Sequence, residues 1–153
     1  MMRFYVLILF LAGTASLLVP AMARAQQLSE DDARTIAEKY PAAQKTASGL
    51  MYVVTAPGEG DLPVLGSRVT VNYVARFLDG TKFDGSADRG GPFTFTLGVG
   101  KVIKGWDEAF SGMKKGEKRT LIIPFWLDYG DRYRPPIPPR STLVYEVELV
   151  SFR

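Results

Sequence analysis

From about residue 47 onward, apolar and polar residues alternate along most of the chain. The alternation is clearest in three segments, whose apolar positions are Val69, Val71, Tyr73, Ala75 and Phe77, then Phe93, Phe95 and Leu97, and finally Leu143, Tyr145, Val147 and Leu149. Because successive side chains of a strand point to opposite faces, this pattern predicts strands with one buried face. Hairpin-type turns such as Asp79-Gly80 favour antiparallel pairing. One short helical stretch, IKGWDEAFSGM, has to cover the buried face, so the predicted class is α+β.

The segment SEDDARTIAEKYP predicts a short helix before the strands. Ser29 is a suitable N-cap, and Pro41 ends the helix. A narrow apolar stripe follows the helical period through Ala33, Ile36, Ala37 and Tyr40. This helix is either an extension packed on its own domain or a dimerisation helix, so the chain is expected to be a monomer or a weak dimer. We assign residues 26–46 to this helix and a linker, AAQKTASG being loop-like, and residues 47–153 to one domain.

Residues 1–25 have the composition of a secretory signal peptide. A basic residue at position 3 precedes an apolar run, and Ala23-Arg24-Ala25 has the small-x-small pattern of a cleavage site. We therefore expect cleavage after Ala25 and a secreted or periplasmic protein with no membrane attachment after cleavage. The alternative is an uncleaved anchor, but the apolar stretch is shorter than the ~20 residues of a spanning helix.

The composition excludes several classes of site. The chain contains no histidine and no cysteine, which removes histidine- or cysteine-based triads and the common zinc sites. Without residues 1–25, the chain carries 17 basic and 16 acidic residues, so the charge does not indicate nucleic-acid binding. No dinucleotide or phosphate-loop motif is present. We expect no metal, no cofactor and no nucleic-acid partner.

Aromatic residues are the most informative side chains that remain. They recur on inward strand faces and near turns, at Tyr73, Phe83, Phe93, Phe95, Trp106, Tyr129 and Tyr145. Pattern alone favours an ordinary core, and the alternative is a concave apolar pocket with a few polar groups.

Four separated motifs resemble those of one family. They are VTVNYVARFLDGTKFDGS, PFTFTLGVGKVIKGWDEAFSGMKKGEKRTLIIP, LDYG and IPPRSTLVYEVEL, and they occur in the family's order between about Ala47 and Phe152. These segments look like the FKBP-type peptidyl-prolyl cis–trans isomerases, which bind tacrolimus and rapamycin. The resemblance implies a curled antiparallel sheet of five or six strands wrapped around one short helix. It also implies proline-containing unfolded or partly folded polypeptides as substrates, and macrolides as possible ligands.

The resemblance assigns a catalytic role to four residues. Trp106 matches the tryptophan whose indole forms the floor beneath the substrate proline. The backbone N–H of Ile103 matches a donor to a ligand carbonyl, and the hydroxyl of Tyr129 matches a donor to the substrate amide. Asp84 matches the pocket carboxylate, although its position after a hairpin also suits a turn-capping role.

A second group of residues matches the substrate-binding surface of the family: Tyr73, Phe83, Phe93, Val102, Ile137, Tyr145 and Arg89. Phe83, Phe93 and the two tyrosines match aromatic walls, and Ile137 matches an apolar residue on a rim loop. Arg89 matches an arginine that pairs with the pocket carboxylate, although it could equally be a solvated loop residue.

Two segments depart from the family pattern. The stretch DRYRPP replaces a commonly glycine-rich loop with arginines and prolines, which should stiffen the loop. Its positive charges could favour substrates with acidic flanks. Phe125-Trp126 stands where the family usually has a proline and an acid, so Trp126 either is exposed or packs beneath the loop. The alternative functions are an FKBP-fold chaperone module with weak turnover and a degenerate interaction domain, but Trp106, Asp84 and Tyr129 are all retained.

Overall fold

The computed structural model describes residues 26–153. The predicted signal peptide and its cleavage site lie outside the described residues. Helix α1 spans Glu30–Lys39 and helix α2 spans Lys104–Ser111. The strands are β1 (Gln44–Lys45), β2 (Met51–Ala56), β3 (Arg68–Phe77), β4 (Lys82–Gly85), β5 (Phe93–Thr96), β6 (Lys118–Ile123) and β7 (Leu143–Phe152). Short 3-10 turns cover Ala87–Arg89 and Phe125–Leu127.

All strand pairs are antiparallel, in the order β1-β2-β6-β7-β3-β4, with β5 also paired to β3. The predicted α+β architecture is confirmed, with seven strands where five or six were expected. Both β4 and β5 pair with β3, at residues 74–76 and 68–71 respectively. The segment between β4 and β5 includes the turn Ala87–Arg89. Two short strands therefore pair with β3 on this side instead of one long strand.

The remaining additional strand is β1, in a region expected to be a linker. Its two residues pair with Tyr52 and Met51 of β2. Gly49 makes this hairpin possible because its φ is +97°, in the left-handed region that glycine tolerates best. A Cβ at this position would lie 2.9 Å from the indole of Trp126, so the turn also needs the absence of a side chain.

The principal core lies between α2 and one face of the sheet. Trp106, Ala109, Phe110 and Met113 come from the helix and its C-terminal end, and they pack against the inward residues predicted from the alternation. Gly105 brings the helix close to β6, because a Cβ there would lie 2.7 Å from Ile123 Cγ2. This close approach fixes Trp106, the next residue, against the sheet.

Helix α1 packs on the opposite face of the same sheet. Ile36 is buried with Met51, Ile122 and Val144, which are aligned neighbours on β2, β6 and β7. Ser29 caps the helix as predicted, accepting a hydrogen bond of 3.0 Å from the Asp32 amide. The apolar stripe is narrower than expected, because Ala33 and Ala37 are exposed.

Two side-chain hydrogen bonds also hold α1 on the domain. Thr142 Oγ1 donates to Asp32 Oδ2 at 2.6 Å, and Lys39 Nζ donates to the Leu78 carbonyl at 2.8 Å. The buried side of α1 is therefore covered by its own chain, which favours the packed extension over the dimerisation helix. Across residues 26–153, no helix combines the length and the apolar character needed to cross a membrane.

Candidate active site

Trp106 lies at the base of an aromatic cluster formed by α2 and three strands. Its side chain is buried, with 5% of the residue exposed. The ring centroids of Tyr73, Phe110 and Tyr145 lie 5.1, 5.4 and 5.5 Å from that of the indole, in edge-to-face arrangements. Such edge-to-face contacts hold aromatic rings in fixed relative orientations. The indole is thus a rigid apolar floor.

Above this floor lies a cavity of about 590 Å³, within the size range of small-ligand pockets. It is lined by Tyr73, Asp84, Arg89, Phe93, Gly100, Lys101, Val102, Ile103, Lys104, Trp106, Asp128, Tyr129, Arg134 and Tyr145. Phe93 is 41% exposed, so its ring forms part of an accessible wall rather than the core. The cavity therefore combines an aromatic base with a polar mouth.

Asp84 follows Phe83 on β4, and its carboxylate is held by four donors. Arg89 Nε and Nη2 donate to its two oxygens at 2.8 and 2.9 Å, the Tyr73 hydroxyl donates at 3.1 Å and the Gly85 amide at 2.8 Å. Burial raises the pKa of Asp84, but the hydrogen bonds from Arg89, Gly85 and Tyr73 outweigh it and leave the pKa below its usual range. Asp84 is therefore ionised and fixed at neutral pH.

Ile103 is the residue immediately before α2, and its backbone is extended. Its carbonyl accepts hydrogen bonds from the amides of Trp106 and Asp107, at 3.0 and 3.3 Å. Its own N–H donates to no acceptor within residues 26–153. Since Ile103 lines the cavity, this donor is available to a bound carbonyl group.

Tyr129 lies on the other side of the cavity, after the 3-10 turn Phe125–Leu127. The guanidinium of Arg134 stacks over its ring, 4.6 Å from the centroid. Burial, and then the charge of Asp128, raise the pKa of Tyr129, so its hydroxyl keeps its proton at neutral pH. Within the described residues the hydroxyl has no hydrogen-bond partner, and it can donate to a ligand.

Asp128 is a cavity residue to which sequence analysis gave no role. Both of its carboxylate oxygens are buried without a hydrogen-bond partner of good geometry among residues 26–153. Burial raises the pKa of Asp128 to about 7, and the lowering effects of Arg134 and the Tyr129 amide are smaller. A partly protonated carboxyl group thus lies beside Tyr129.

Nine of the eleven expected site residues line the cavity, and Phe83 and Ile137 do not. Phe83 packs against Phe77, with ring centroids 4.7 Å apart, and edge-on against Tyr145, at 6.4 Å. Ile137 was expected on the rim, but it is 5% exposed and packs in the principal core. Its apolar side chain is more stable there than on an exposed loop.

The structure also adds three cations to the cavity: Lys101, Lys104 and Arg134. In the sequence, the two lysines flank the Val102-Ile103 pair, and Arg134 lies in the separate segment DRYRPP. Only the fold brings these three cations to one cavity. Trp126, in contrast, is not an exposed contact surface. Its Nε1 donates to the Ser48 carbonyl at 2.9 Å, and its ring is half-buried against Gly49.

Comparisons with known proteins identify the family of this chain. Residues 60–150 match the family described as FKBP-type peptidyl-prolyl cis-trans isomerase. An FK506-binding protein of Neisseria meningitidis serogroup A is 54% identical over 95 residues, covering 61% of this chain and 87% of the relative. The peptidyl-prolyl cis-trans isomerase Fkbp12 of Drosophila melanogaster is 47% identical over 105 residues, covering 67% of this chain and 97% of the relative.

Two solved structures are similar in fold. FkpA from Escherichia coli superposes with a TM-score of 0.72 and 38% identity, covering 86% of this chain but only 59% of FkpA. AtFKBP13 superposes with a TM-score of 0.68 and 37% identity, covering 72% of this chain and 98% of that protein. Sequence, fold and cavity lead to one assignment: this chain belongs to the FKBP-type peptidyl-prolyl cis–trans isomerases.

Proposed function

We propose that the isomerase reaction of this chain takes place over the indole of Trp106, with the substrate proline in the 590 Å³ cavity. The observation that carries this proposal is the rigid aromatic floor, which is enclosed by Tyr73, Phe93 and Tyr145. A pyrrolidine ring is compact and apolar, so it gains from burial against such a surface.

The chemistry follows from the nature of the amide bond. Rotation about a peptide bond has a barrier of about 18–20 kcal/mol because resonance gives the C–N bond partial double-bond character. The planar amide is polar, and twisting reduces its charge separation. Contact with the apolar aromatic base of the cavity therefore disfavours the planar amide relative to the twisted one, which lowers the barrier. No nucleophile and no proton transfer are needed.

The polar groups at the cavity mouth hold the substrate backbone while the prolyl bond turns. The free N–H of Ile103 and the hydroxyl of Tyr129 would bind carbonyl groups on either side of the proline. Asp84 fixes the Tyr73 hydroxyl and Arg89, so that both keep one orientation. With the flanking carbonyl groups held, the prolyl bond of the substrate would be the bond left free to rotate.

Phe83 and Ile137 would act as positioning residues. Phe83 supports the ring of Tyr145 from behind. The backbone of Ile137 exchanges two hydrogen bonds with Arg134, at 3.0 and 2.6 Å, while its side chain is anchored in the core. Together they would keep the cavity wall and the loop 131–136 in place.

We also assign the natural substrates to exported proteins that are folding. The basis is the signal-peptide composition of residues 1–25, with cleavage after Ala25. Residues 26–46 would then form the N-terminal helix and linker, and residues 47–153 the isomerase domain. Prolyl isomerisation is slow enough to limit folding, so a catalyst of this step is useful wherever chains fold. Tacrolimus and rapamycin would occupy the same cavity and compete with substrate.

The experiment that tests the site measures isomerisation of a Leu-Pro tetrapeptide by the chain from Gln26, by Tyr129→Phe and by Tyr133→Phe. Tyr133 is a matched control, because it lies in the neighbouring loop, is 68% exposed and does not line the cavity. We expect Tyr129→Phe to be about three- to tenfold slower, as for one lost hydrogen bond. Rapamycin should inhibit the parent and the control equally. Undiminished turnover in Tyr129→Phe, together with insensitivity to rapamycin, would place the reaction elsewhere.

A further inference from the structure

Three cations meet at the mouth of the cavity. Lys101 and Lys104 come from the segment that leads into α2, and Arg134 comes from the loop before β7. All three are exposed. Within residues 26–153, none of them lies within 4.0 Å of a carboxylate oxygen. Their charges are therefore available to a bound molecule.

The carboxylates near the mouth are already engaged. Asp84 is paired with Arg89, at 2.8 Å. Asp107 is not paired with a cation among the described residues. It accepts hydrogen bonds from the amides of Gly98 and Gly100, at 2.8 and 3.1 Å, which orient the carboxylate without neutralising it, so it offsets one of the three positive charges at most. Asp131 is paired with Arg140, at 3.2 Å.

Asp128 is the other carboxylate that lines the cavity, and its charge offsets only part of that of the three cations. Its pKa of about 7 leaves it about half protonated at neutral pH. The rim thus presents a net positive charge above an apolar floor.

Arg134 is held in place before any substrate binds. Its guanidinium lies over the ring of Tyr129, 4.6 Å from the ring centroid, in a cation–π contact. Its backbone is bridged to Ile137, whose side chain is anchored in the core. Less conformational entropy is lost on binding when a charged group is already ordered.

The lysines flank the residue expected to bind the substrate backbone. Ile103 lies between Lys101 and Lys104 in sequence and lines the same cavity, and its N–H donates to no acceptor within residues 26–153. A peptide bound to this N–H would carry the side chains next to its proline between the lysines and Arg134.

We propose that this rim makes the enzyme selective for prolyl segments with an acidic side chain beside the proline, read by Lys101, Lys104 and Arg134. The inference rests on the proposed function of the cavity and names its substrate class. Because rim charges act through partly screened Coulomb attraction, the preference must weaken as salt is added.

The test compares two capped tetrapeptides, Ala-Glu-Pro-Phe and Ala-Gln-Pro-Phe, which differ in charge at nearly constant shape. The enzyme-dependent rate of cis–trans exchange is measured by NMR at equal enzyme and peptide concentrations, so no coupling protease adds its own preference. We expect the Glu peptide to exchange about three- to tenfold faster at low salt, as for two or three exposed ion pairs. This ratio should fall towards one in 0.5 M salt, roughly where screening becomes strong.

Two variants locate the effect. Arg134→Gln should lower the Glu-to-Gln ratio at least twofold. Because this ratio compares two peptides on the same enzyme, it does not depend on any change in overall rate caused by loss of the contact with Tyr129. Arg132→Gln removes the same charge from the same loop at a residue outside the cavity, so its ratio should match that of the parent. A parent ratio of one or below, or an equal fall in both variants, would overturn the proposal. Absence of catalysis on the Gln and Leu-Pro peptides alike would instead overturn the proposed function.

Discussion

Arg89 binds both carboxylate oxygens of Asp84, with N···O distances of 2.8 and 2.9 Å. This bidentate pair lies at the edge of the cavity, and the Tyr73 hydroxyl completes it at 3.1 Å. Asp84 therefore organises the cavity wall, and does more than cap a turn. Its ionised form is favoured, since the hydrogen bonds that it accepts outweigh the effect of burial on its pKa.

Replacing Asp84 should lower activity more than stability. In Asp84→Asn the charge-assisted hydrogen bonds from Arg89 are lost, so Arg89 and the Tyr73 hydroxyl are no longer held at the cavity, whereas an ion pair with an exposed arginine contributes little to stability. We expect the rate of prolyl exchange to fall about tenfold or more. Asp88→Asn is the control, because Asp88 lies in the same segment but pairs with Lys82, at 2.7 Å, outside the cavity. Equal rates for the two variants would remove Asp84 from the site.

Asp128 should make stability depend on pH. Burial raises its pKa to about 7, against 3.8 for an unperturbed aspartate. Between these values the folded state holds a proton that the unfolded state has released. The protonated Asp128 therefore stabilises the folded state fully below about pH 4, and this stabilisation is lost as the pH rises through about 7. Over this range the free energy of unfolding falls by up to about 1.4 kcal/mol per pH unit.

The variant Asp128→Asn cannot ionise, so it tests this assignment directly. We expect its free energy of unfolding to change less between pH 5 and 8 than that of the parent. The difference between the two proteins across this range should be a few kcal/mol at most. Urea unfolding at each pH measures it. Identical pH profiles would show that the Asp128 carboxyl is solvated in the native state.

The sheet could be predicted from the sequence because its signal is local. Burial of one face imposes a period of two, and Val69, Val71 and Ala75 are inward as the alternation predicts. The strand β1 gave no such signal, because two residues are too few to show a period. It is defined by pairing across the Gly49 turn.

The candidate site could be predicted only in part. Trp106, Asp84 and Tyr129 lie in motifs that resemble a known family, and all three line the cavity. The side-chain direction of Ile137 could not be predicted, since an irregular loop has no fixed period. The roles of Asp128 and Arg134 depend on how segment 127–134 meets the start of α2, which is a non-local property of the fold.

The Gly49 turn should tolerate a side chain poorly. Gly49→Ala introduces both an unfavourable φ of +97° and a Cβ 2.9 Å from the Trp126 ring. Gly60→Ala is a matched control, because Gly60 has a φ of +79° with no atom within 4 Å of the added Cβ. In both variants we expect the backbone conformation alone to lower the free energy of unfolding by about 1–2 kcal/mol. The loss should be larger for Gly49→Ala, as measured by urea unfolding, and equal losses would argue against the contact with Trp126.

Helix α1 should stabilise the domain without taking part in catalysis. Ile36 is buried against Met51, Ile122 and Val144 on the sheet face opposite α2. Ile36→Ala removes buried methyl groups, so we expect the free energy of unfolding to fall by about 2 kcal/mol or more. The prolyl exchange rate should remain unchanged, because this face is remote from the cavity. Ala37→Ser, at an exposed position of the same helix, should change neither quantity by much. If Ile36→Ala instead dissociated a dimer in sedimentation experiments, the apolar side of α1 would be an interface between two copies of the chain.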